Sequence, residues 1–167
     1  MTTVTPLRAI ARGLVAGAAG TAAMTAWQEL SSRLQSSGGE SQSSEQDADP
    51  WQQAPVPAQA GRKILEGVFD LRVPPERIGL LTNVMHWAHG TAWGAVYGVL
   101  AATRPRPALR RGALFGTGVW ASSYALLTPM GLYQPPWTYP PDKLAFDLSY
   151  HLVYGAGVGA AFSALQR

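Results

Sequence analysis

The sequence contains no cysteine. This absence excludes a disulfide framework, a thiolate metal site and a cysteine nucleophile. Charged residues are also scarce, at 14% of the chain, whereas 47% of its residues are hydrophobic. The sequence also lacks a nucleophile elbow, a phosphate-binding loop and a paired metal motif. We therefore predict no enzyme activity, and the composition is not that of an ordinary soluble globule.

The small excess of basic over acidic residues, 13 against 10, lies mainly in short arginine clusters beside hydrophobic segments. Nucleic-acid readers instead combine basic residues with interleaved aromatics or with a helix-turn-helix pattern, and neither is present. We predict no nucleic-acid partner and attribute the positive charge to membrane topology.

Four hydrophobic segments are long enough to cross about 30 Å of hydrocarbon, which takes roughly 20 helical residues. They cover residues 9–30, 80–102, 113–130 and 144–165. None has the period-two alternation of a barrel strand, and each is hydrophobic most of the way round. The predicted fold is an all-α polytopic membrane protein, an up-down bundle of four transmembrane helices that has the lipid bilayer as its partner.

The first of these segments has a second interpretation. Arg8 and Arg12 followed by a Gly/Ala-rich stretch also resemble a secretory signal peptide that is cleaved. Against cleavage, Gly13 and Gly17 have the small-xxx-small spacing that lets helices pack closely. The other predicted helices repeat this spacing, which predicts a tight bundle and offers glycine-rich faces to a membrane protein partner or a second copy.

The long connection after the first helix changes character partway along. Residues 34–57 have few apolar side chains to bury, so we expect this loop to be disordered or extended. In residues 58–70, Gly61, Ile64, Leu65 and Val68 fall at helical spacing with charged residues off that stripe. This pattern predicts a short amphipathic helix that lies on the membrane surface or caps the bundle.

The connection between the second and third hydrophobic helices predicts the orientation. It carries Arg104, Arg106, Arg110 and Arg111 without an acidic residue, so the positive-inside rule places it in the cytoplasm. Both termini would then also be cytoplasmic, in a multi-pass protein of the bacterial inner membrane. The third connection, with its prolines and Tyr133, Trp137 and Tyr139, would lie at the opposite headgroup level.

Ionisable residues within a membrane helix are costly, so each is a functional hypothesis. The predicted polar intramembrane cluster lies near the non-cytoplasmic face and contains Glu29, Asn83, His86, His89, Asp147 and His151. His86 and His151 lie about 9 to 10 Å from the non-cytoplasmic ends of their helices at 1.5 Å per residue. Asp147 and His151 are four residues apart, so the carboxylate can accept a hydrogen bond from the ring.

Three interpretations of this cluster remain open. The side chains can hold the helices together through hydrogen bonds, or they can form a proton or ligand site. His86, His89 and His151 are also weak candidates for a zinc or haem site, although no metal motif accompanies them and no cofactor is predicted. Glu29 lies at a helix end, where its carboxylate can reach headgroup water.

Three runs in the later two-thirds of the chain form a recognisable set: NVMHWAHGTAWGAVYG with Asn83 and His86, TPMGLYQPP, and SYHLVYG with His151. In these runs the chain resembles the YagU-like family of bacterial inner-membrane proteins, whose function is uncharacterised. The resemblance implies an inner-membrane location and a multi-helix fold, and it supplies no catalytic residues.

These observations predict a structural or accessory membrane protein. The alternative is a small transporter, proton-responsive element or ligand-binding module that uses the polar cluster. A metal- or haem-binding membrane protein is a further alternative, which rests on the placement of the histidines alone.

Overall fold

The computed structural model describes residues 5–36, 49–103 and 108–167, and these residues form helices and turns without a strand. The helices are α1 (Pro6–Ser36), α2 (Val56–Phe69), α3 (Ile78–Thr103), α4 (Ala108–Leu127) and α5 (Pro141–Ala164). Short 3-10 turns at Pro75–Arg77 and Pro136–Thr138 precede α3 and α5. The prediction of an all-α fold is confirmed.

The four long helices pack in an up-down arrangement because their glycines allow backbone contact. On α1, Gly17 faces Gly90 and Gly94 of α3, while Gly20 of α1 lies against α5. On α4, Gly112 faces Gly155 of α5. A Cβ at any of these positions would meet the neighbouring helix, so the close approach requires glycine. The helix α1 therefore lies between α3 and α5, and α4 packs against α5.

Helices α3 and α4 are neighbours in sequence but share little backbone contact. Aromatic side chains fill the space between them. Tyr97 of α3 packs edge-to-face on Phe115 of α4, with ring centroids 5.0 Å apart, and on Phe162 of α5, at 5.5 Å. The resulting core is centred on aromatic rings, which contribute large contact areas and favour T-shaped geometry.

The helix α2 lies against the first turns of α3. Gly61 faces Leu81 and Met85, which leaves no room for a larger residue at this crossing. Trp51 packs under α2 with only 6% of its surface exposed, and the guanidinium of Arg62 lies 4.7 Å from its ring centroid. This helix matches in position the amphipathic helix predicted over residues 58–70.

Residues 34–57 are predicted to form a disordered or extended loop. The two ends of this loop that the structure describes differ from that prediction. Residues 34–36 continue α1, and residues 49–55 form a turn that carries Trp51. The turn is ordered because the Trp51 side chain is buried against Ala54, Ala58 and Leu81. Residues 37–48 lie outside the described part of the chain, as do Arg104 and Arg106.

One helix in the described ranges, Pro6–Leu34, is long and apolar enough to cross a membrane. A single such helix is weak evidence, because the core helix of a soluble protein and an N-terminal signal sequence have the same properties. By length and composition, the prediction of four membrane spans and a multi-pass location is therefore not supported.

Candidate functional site

The carboxylate of Asp147 joins α5 to α4. Trp120 Nε1 and the Tyr124 hydroxyl both donate hydrogen bonds to Asp147 Oδ2, at 2.9 and 3.0 Å. Trp120 and Tyr124 are four residues apart, so they lie on one face of α4 one turn from each other. A neutral indole and a neutral phenol thus hold one oxygen of a carboxylate whose side chain is 28% exposed.

The ring of His151 turns toward the backbone of its own helix. Its Nδ1 lies 2.9 Å from the carbonyl oxygen of Asp147 and 3.9 Å from Asp147 Oδ1. We expected the ring to donate to the Asp147 carboxylate, but it donates to the Asp147 backbone carbonyl. The Oδ2 atom of the carboxylate accepts its hydrogen bonds from α4. Because a carbonyl only accepts, Nδ1 carries the hydrogen, and Nε2 of the neutral ring is an acceptor.

The tautomer of His86 follows from a similar argument. Its Nε2 lies 3.3 Å from the Thr25 hydroxyl of α1. Thr25 donates its only hydroxyl hydrogen to the Thr21 carbonyl, at 2.9 Å. The hydroxyl oxygen must therefore accept from His86 Nε2, and Nδ1 of the neutral His86 ring is left as an acceptor.

The third histidine, His89, is exposed, and its ring lies at the edge of Trp93 with centroids 6.2 Å apart. Both His86 and His89 lie within electrostatic range of His151. The structure therefore brings the three histidines into one group, which we call the histidine trio. The trio has members on α3 and α5, and His86 contacts α1 through Thr25.

Two residues of the predicted cluster do not join this group. Glu29 is 62% exposed and forms an ion pair with Arg33 one turn later, at 2.9 Å. Asn83 is exposed, and its side-chain amide donates to the Gly79 carbonyl of its own helix at 3.0 Å. Both polar groups are satisfied locally, so neither needs a partner on another helix.

The histidine trio gives no geometric support to a zinc site. In residues 5–36, 49–103 and 108–167, no three His, Cys, Asp or Glu side chains are arranged to hold a metal ion. The rings of His86 and His151 instead use one nitrogen each in hydrogen bonds within the protein.

The sequence pattern did not identify Thr25 and Tyr154 as polar residues that contact another helix near the histidine trio. The Tyr154 hydroxyl donates to the Gly90 carbonyl of α3 at 2.6 Å. A signal for this residue was present, because Asp147, His151 and Tyr154 are spaced at i, i+4 and i+7 and therefore share one helix face. No equivalent spacing pointed to Thr25, whose role depends on the neighbouring helix.

A group of aromatic side chains extends the Asp147 site toward the loop between α4 and α5. Tyr124 packs on Trp120, Tyr133 and Tyr139, with ring centroids 5.3, 5.1 and 6.0 Å away. Burial, together with the nearby charge of Asp147 and then Tyr139, raises the pKa of Tyr133 to about 12. The Tyr133 phenol therefore stays protonated and neutral at ordinary pH.

Comparison with protein-family models, curated proteins and solved structures finds no match to the chain. The resemblance to the YagU-like family stays a prediction from sequence, and the site must be interpreted from its own geometry.

Proposed function

We propose that this chain is an integral protein of the bacterial inner membrane that crosses the bilayer four times and acts as a structural or accessory membrane component. The observation that carries the proposal is the distribution of side chains around the bundle. Large apolar residues cover its outside, while glycine contacts and polar hydrogen bonds join its helices. This is the arrangement expected when the surrounding solvent is hydrocarbon.

The outer surface supports a lipid environment. Bulky apolar side chains more than half exposed occur on three of the long helices: Leu7 and Val15 on α1, Leu80 and Leu100 on α3, Leu114 and Leu126 on α4. Phe146 adds a 47% exposed ring on α5. A soluble protein rarely leaves an apolar surface of this extent in water.

The contacts between the helices support the same conclusion. Lipid gives helices no hydrophobic reason to associate, so close packing and interhelical hydrogen bonds must hold them. Beyond the glycine contacts, Trp27 of α1 donates to Ser149 of α5 at 3.0 Å. Ser31 of α1 lies 3.1 Å from the Tyr150 hydroxyl of α5. Since Ser31 donates to the Gln28 carbonyl, Tyr150 is the donor in this second pair.

The composition of α3 and α4 is compatible with spanning. The 26 residues of α3 include no Asp, Glu, Lys or Arg, and its polar residues are uncharged or histidine. In α4 the only charged residues are Arg110 and Arg111, at its start. Glycine and aromatic residues lower a hydropathy average, yet both are common in membrane helices.

The position of α1 favours a retained helix over a cleaved signal. It is the helix in close contact with both α3 and α5. Removing it would expose Gly90 and Gly94 and would leave Ser149 and Tyr150 without their α1 partners. Mass spectrometry of the protein purified from membranes tests this point, with the uncleaved chain as the expected species.

Cysteine labelling tests the topology, since the natural chain has no cysteine of its own. Gly67→Cys on α2 and Thr138→Cys between α4 and α5 should react with a membrane-impermeant maleimide in intact spheroplasts. Gln166→Cys should react only after lysis. Equal labelling of all three variants in intact spheroplasts, or release of the protein by a carbonate wash, would overturn the four-span proposal.

A proton-responsive module is the second candidate, and the histidine trio favours it. His86 Nδ1 and His151 Nε2 are both acceptors, so each can take a proton without losing the hydrogen bond described above. The titratable neighbours on the packed helices are His89, Asp147 and Tyr124.

Glutamine replacements separate the two candidates. A proton-responsive trio predicts a structural change of the wild type between about pH 5 and 7 that disappears in His86→Gln and His151→Gln. A purely structural trio predicts that the same variants lose stability equally at every pH. Hydrogen exchange of α3 and α5 across this pH range measures the difference.

A further inference from the structure

The carboxylate of Asp147 has one oxygen that the fold does not use. Both of its side-chain hydrogen bonds reach Oδ2. In the part of the chain that the structure describes, no side chain donates a hydrogen bond to Oδ1. His151 Nδ1 lies 3.9 Å from Oδ1, and its hydrogen is directed to the backbone carbonyl of Asp147. Oδ1 is therefore available as an acceptor.

Among the described residues, the ion-pair partner within 4.0 Å of Asp147 is His151, which is cationic only when protonated; while His151 is neutral, the charge of Asp147 has no cationic partner there. Trp120 and Tyr124, which hold Oδ2, are neutral donors. Lys143 lies one turn earlier on α5, but it is exposed and makes no ion pair with Asp147 within 4.0 Å. A partly buried carboxylate stabilised only by neutral hydrogen bonds favours a cation from outside the chain.

Four aromatic side chains lie on one side of this carboxylate: Trp120 and Tyr124 hold Oδ2, and Tyr133 and Tyr139 pack on Tyr124. We call these four residues the aromatic enclosure. The faces of such rings attract cations that are weakly hydrated, organic ammonium groups above all. Tyrosine and tryptophan side chains are neutral at ordinary pH, so the enclosure adds no second negative charge. The Tyr139 hydroxyl accepts a hydrogen bond from the Gln134 backbone N–H at 3.0 Å, which holds the loop in place.

We propose that the aromatic enclosure and Asp147 form a binding site for an organic ammonium group. The carboxylate supplies the charge, and Oδ1 is the acceptor for any N–H or polarised C–H that the cation carries. The rings supply cation–π attraction and exclude water from one side. The proposal depends on the contact between α4 and α5 and does not require that the chain span a membrane.

A pair of nearly identical small molecules tests the chemistry. Choline carries a quaternary ammonium, and 3,3-dimethylbutan-1-ol is its uncharged isostere. Calorimetric titration of the full chain in a non-ionic detergent should detect binding of choline and no binding of the isostere. Equal binding of both compounds, or binding of neither, would overturn the proposal.

Two carboxamide variants test the role of the charge. Asp147→Asn keeps an oxygen that can accept from Trp120 and Tyr124, so it should fold, but it should bind choline at least tenfold more weakly. Glu29→Gln removes an exposed carboxylate outside the site and should bind like the wild type. Unchanged affinity in Asp147→Asn would contradict the site.

A third variant keeps the test valid if Asp147→Asn fails to fold. Tyr133→Leu retains the bonds from Trp120 and Tyr124 to Asp147 and removes one ring of the enclosure. Its affinity for choline should fall several-fold, whereas wild-type affinity would show that the enclosure takes no part.

The ammonium group can belong to a soluble compound or to a lipid headgroup. Choline is first titrated into nanodiscs of phosphatidylglycerol, and the titration is repeated with part of that lipid replaced by phosphatidylcholine. Competition by phosphatidylcholine assigns the site to headgroups, and its absence assigns the site to soluble ammonium compounds. If the cysteine labelling contradicts four spans, the detergent titration still decides whether the site exists.

Discussion

The hydroxyl of Tyr154 donates a 2.6 Å hydrogen bond to the carbonyl of Gly90, which joins α5 to α3 through the middle of the bundle. These two helices share little backbone contact of their own. Gly90 lies one turn after His86, and Tyr154 lies almost one turn after His151. The bond therefore sets the distance between the helices that carry the histidine trio.

Tyr154→Phe should destabilise the protein by about 1 kcal/mol, the usual order for a hydrogen bond between packed membrane helices. Thermal unfolding in detergent measures the loss. Tyr150→Phe is the matched control, because it removes another hydrogen bond from α5, to Ser31 of α1. Tyr150 is only partly buried whereas Tyr154 is 2% exposed, so the control should lose less stability. Equal losses would contradict a special role for Tyr154.

Gly94→Ala should separate α1 from α3 and lower the free energy of unfolding by about 1 to 3 kcal/mol, as overpacking does. The added Cβ would meet the backbone of Gly13 and Gly17, which cannot move aside as a side chain would. Gly118→Ala is the control, since nothing lies within 4 Å of its Cβ position. We expect that variant to be unchanged or slightly more stable, because alanine favours helix. A stable Gly94→Ala would argue against the glycine contact.

Trp51→Ala should loosen α2 from α3. Trp51 is 6% exposed and lies beneath Arg62, so its removal leaves a cavity under the helix. Hydrogen exchange of the Val56–Phe69 amides should accelerate at least tenfold. Trp137→Ala is the control, because Trp137 is 81% exposed and should leave exchange in α2 unchanged. Unchanged exchange in Trp51→Ala would show that the turn does not hold α2.

Stability should fall at alkaline pH through Tyr133. The folded chain raises the pKa of this phenol from 10.0 to about 12, so it holds the proton more tightly than the unfolded chain does. Below pH 10 the phenol is protonated in both the folded and the unfolded chain, so its contribution to the free energy of unfolding is fully present. As the pH rises toward 12 the unfolded chain loses the proton first, and the free energy of unfolding declines. Tyr133→Phe should show a shallower decline in denaturant unfolding. An equal decline in the free energy of unfolding for the wild type and Tyr133→Phe above pH 10 would show that Tyr133 is not the responsible group.

The helical segments could be predicted because each depends on local sequence. The predicted segments 9–30 and 80–102 fall within α1 and α3, whereas 113–130 and 144–165 overlap α4 and α5 and run past their last residues. The third segment runs furthest past the end of its helix: it is predicted to reach Met130, whereas α4 ends at Leu127. Gly131 follows with a φ of 68°, a left-handed conformation that ends regular helix and that glycine adopts easily.

The polar cluster could be predicted only in part. Counting residues from the helix ends placed His86 and His151 at similar depth, and the structure brings them within electrostatic range. The depth of a residue along its helix does not give the direction of its side chain, however. Depth alone therefore could not separate Glu29 and Asn83 from the histidine trio. Their polar atoms find partners within one turn of their own helices. The expected bond from His151 to the Asp147 carboxylate is replaced by a bond from the ring to the Asp147 backbone carbonyl.

The sequence by itself determined the helices and the glycine spacings that let them meet, because both follow from residue type and local periodicity. It also determined the absence of thiol chemistry, since no cysteine is present. Only the tertiary structure decided which nitrogen of His86 carries the hydrogen and which oxygen of Asp147 stays available. Those properties depend on Thr25, Trp120 and Tyr124, which are distant in sequence from His86 or Asp147 and become neighbours when the helices pack.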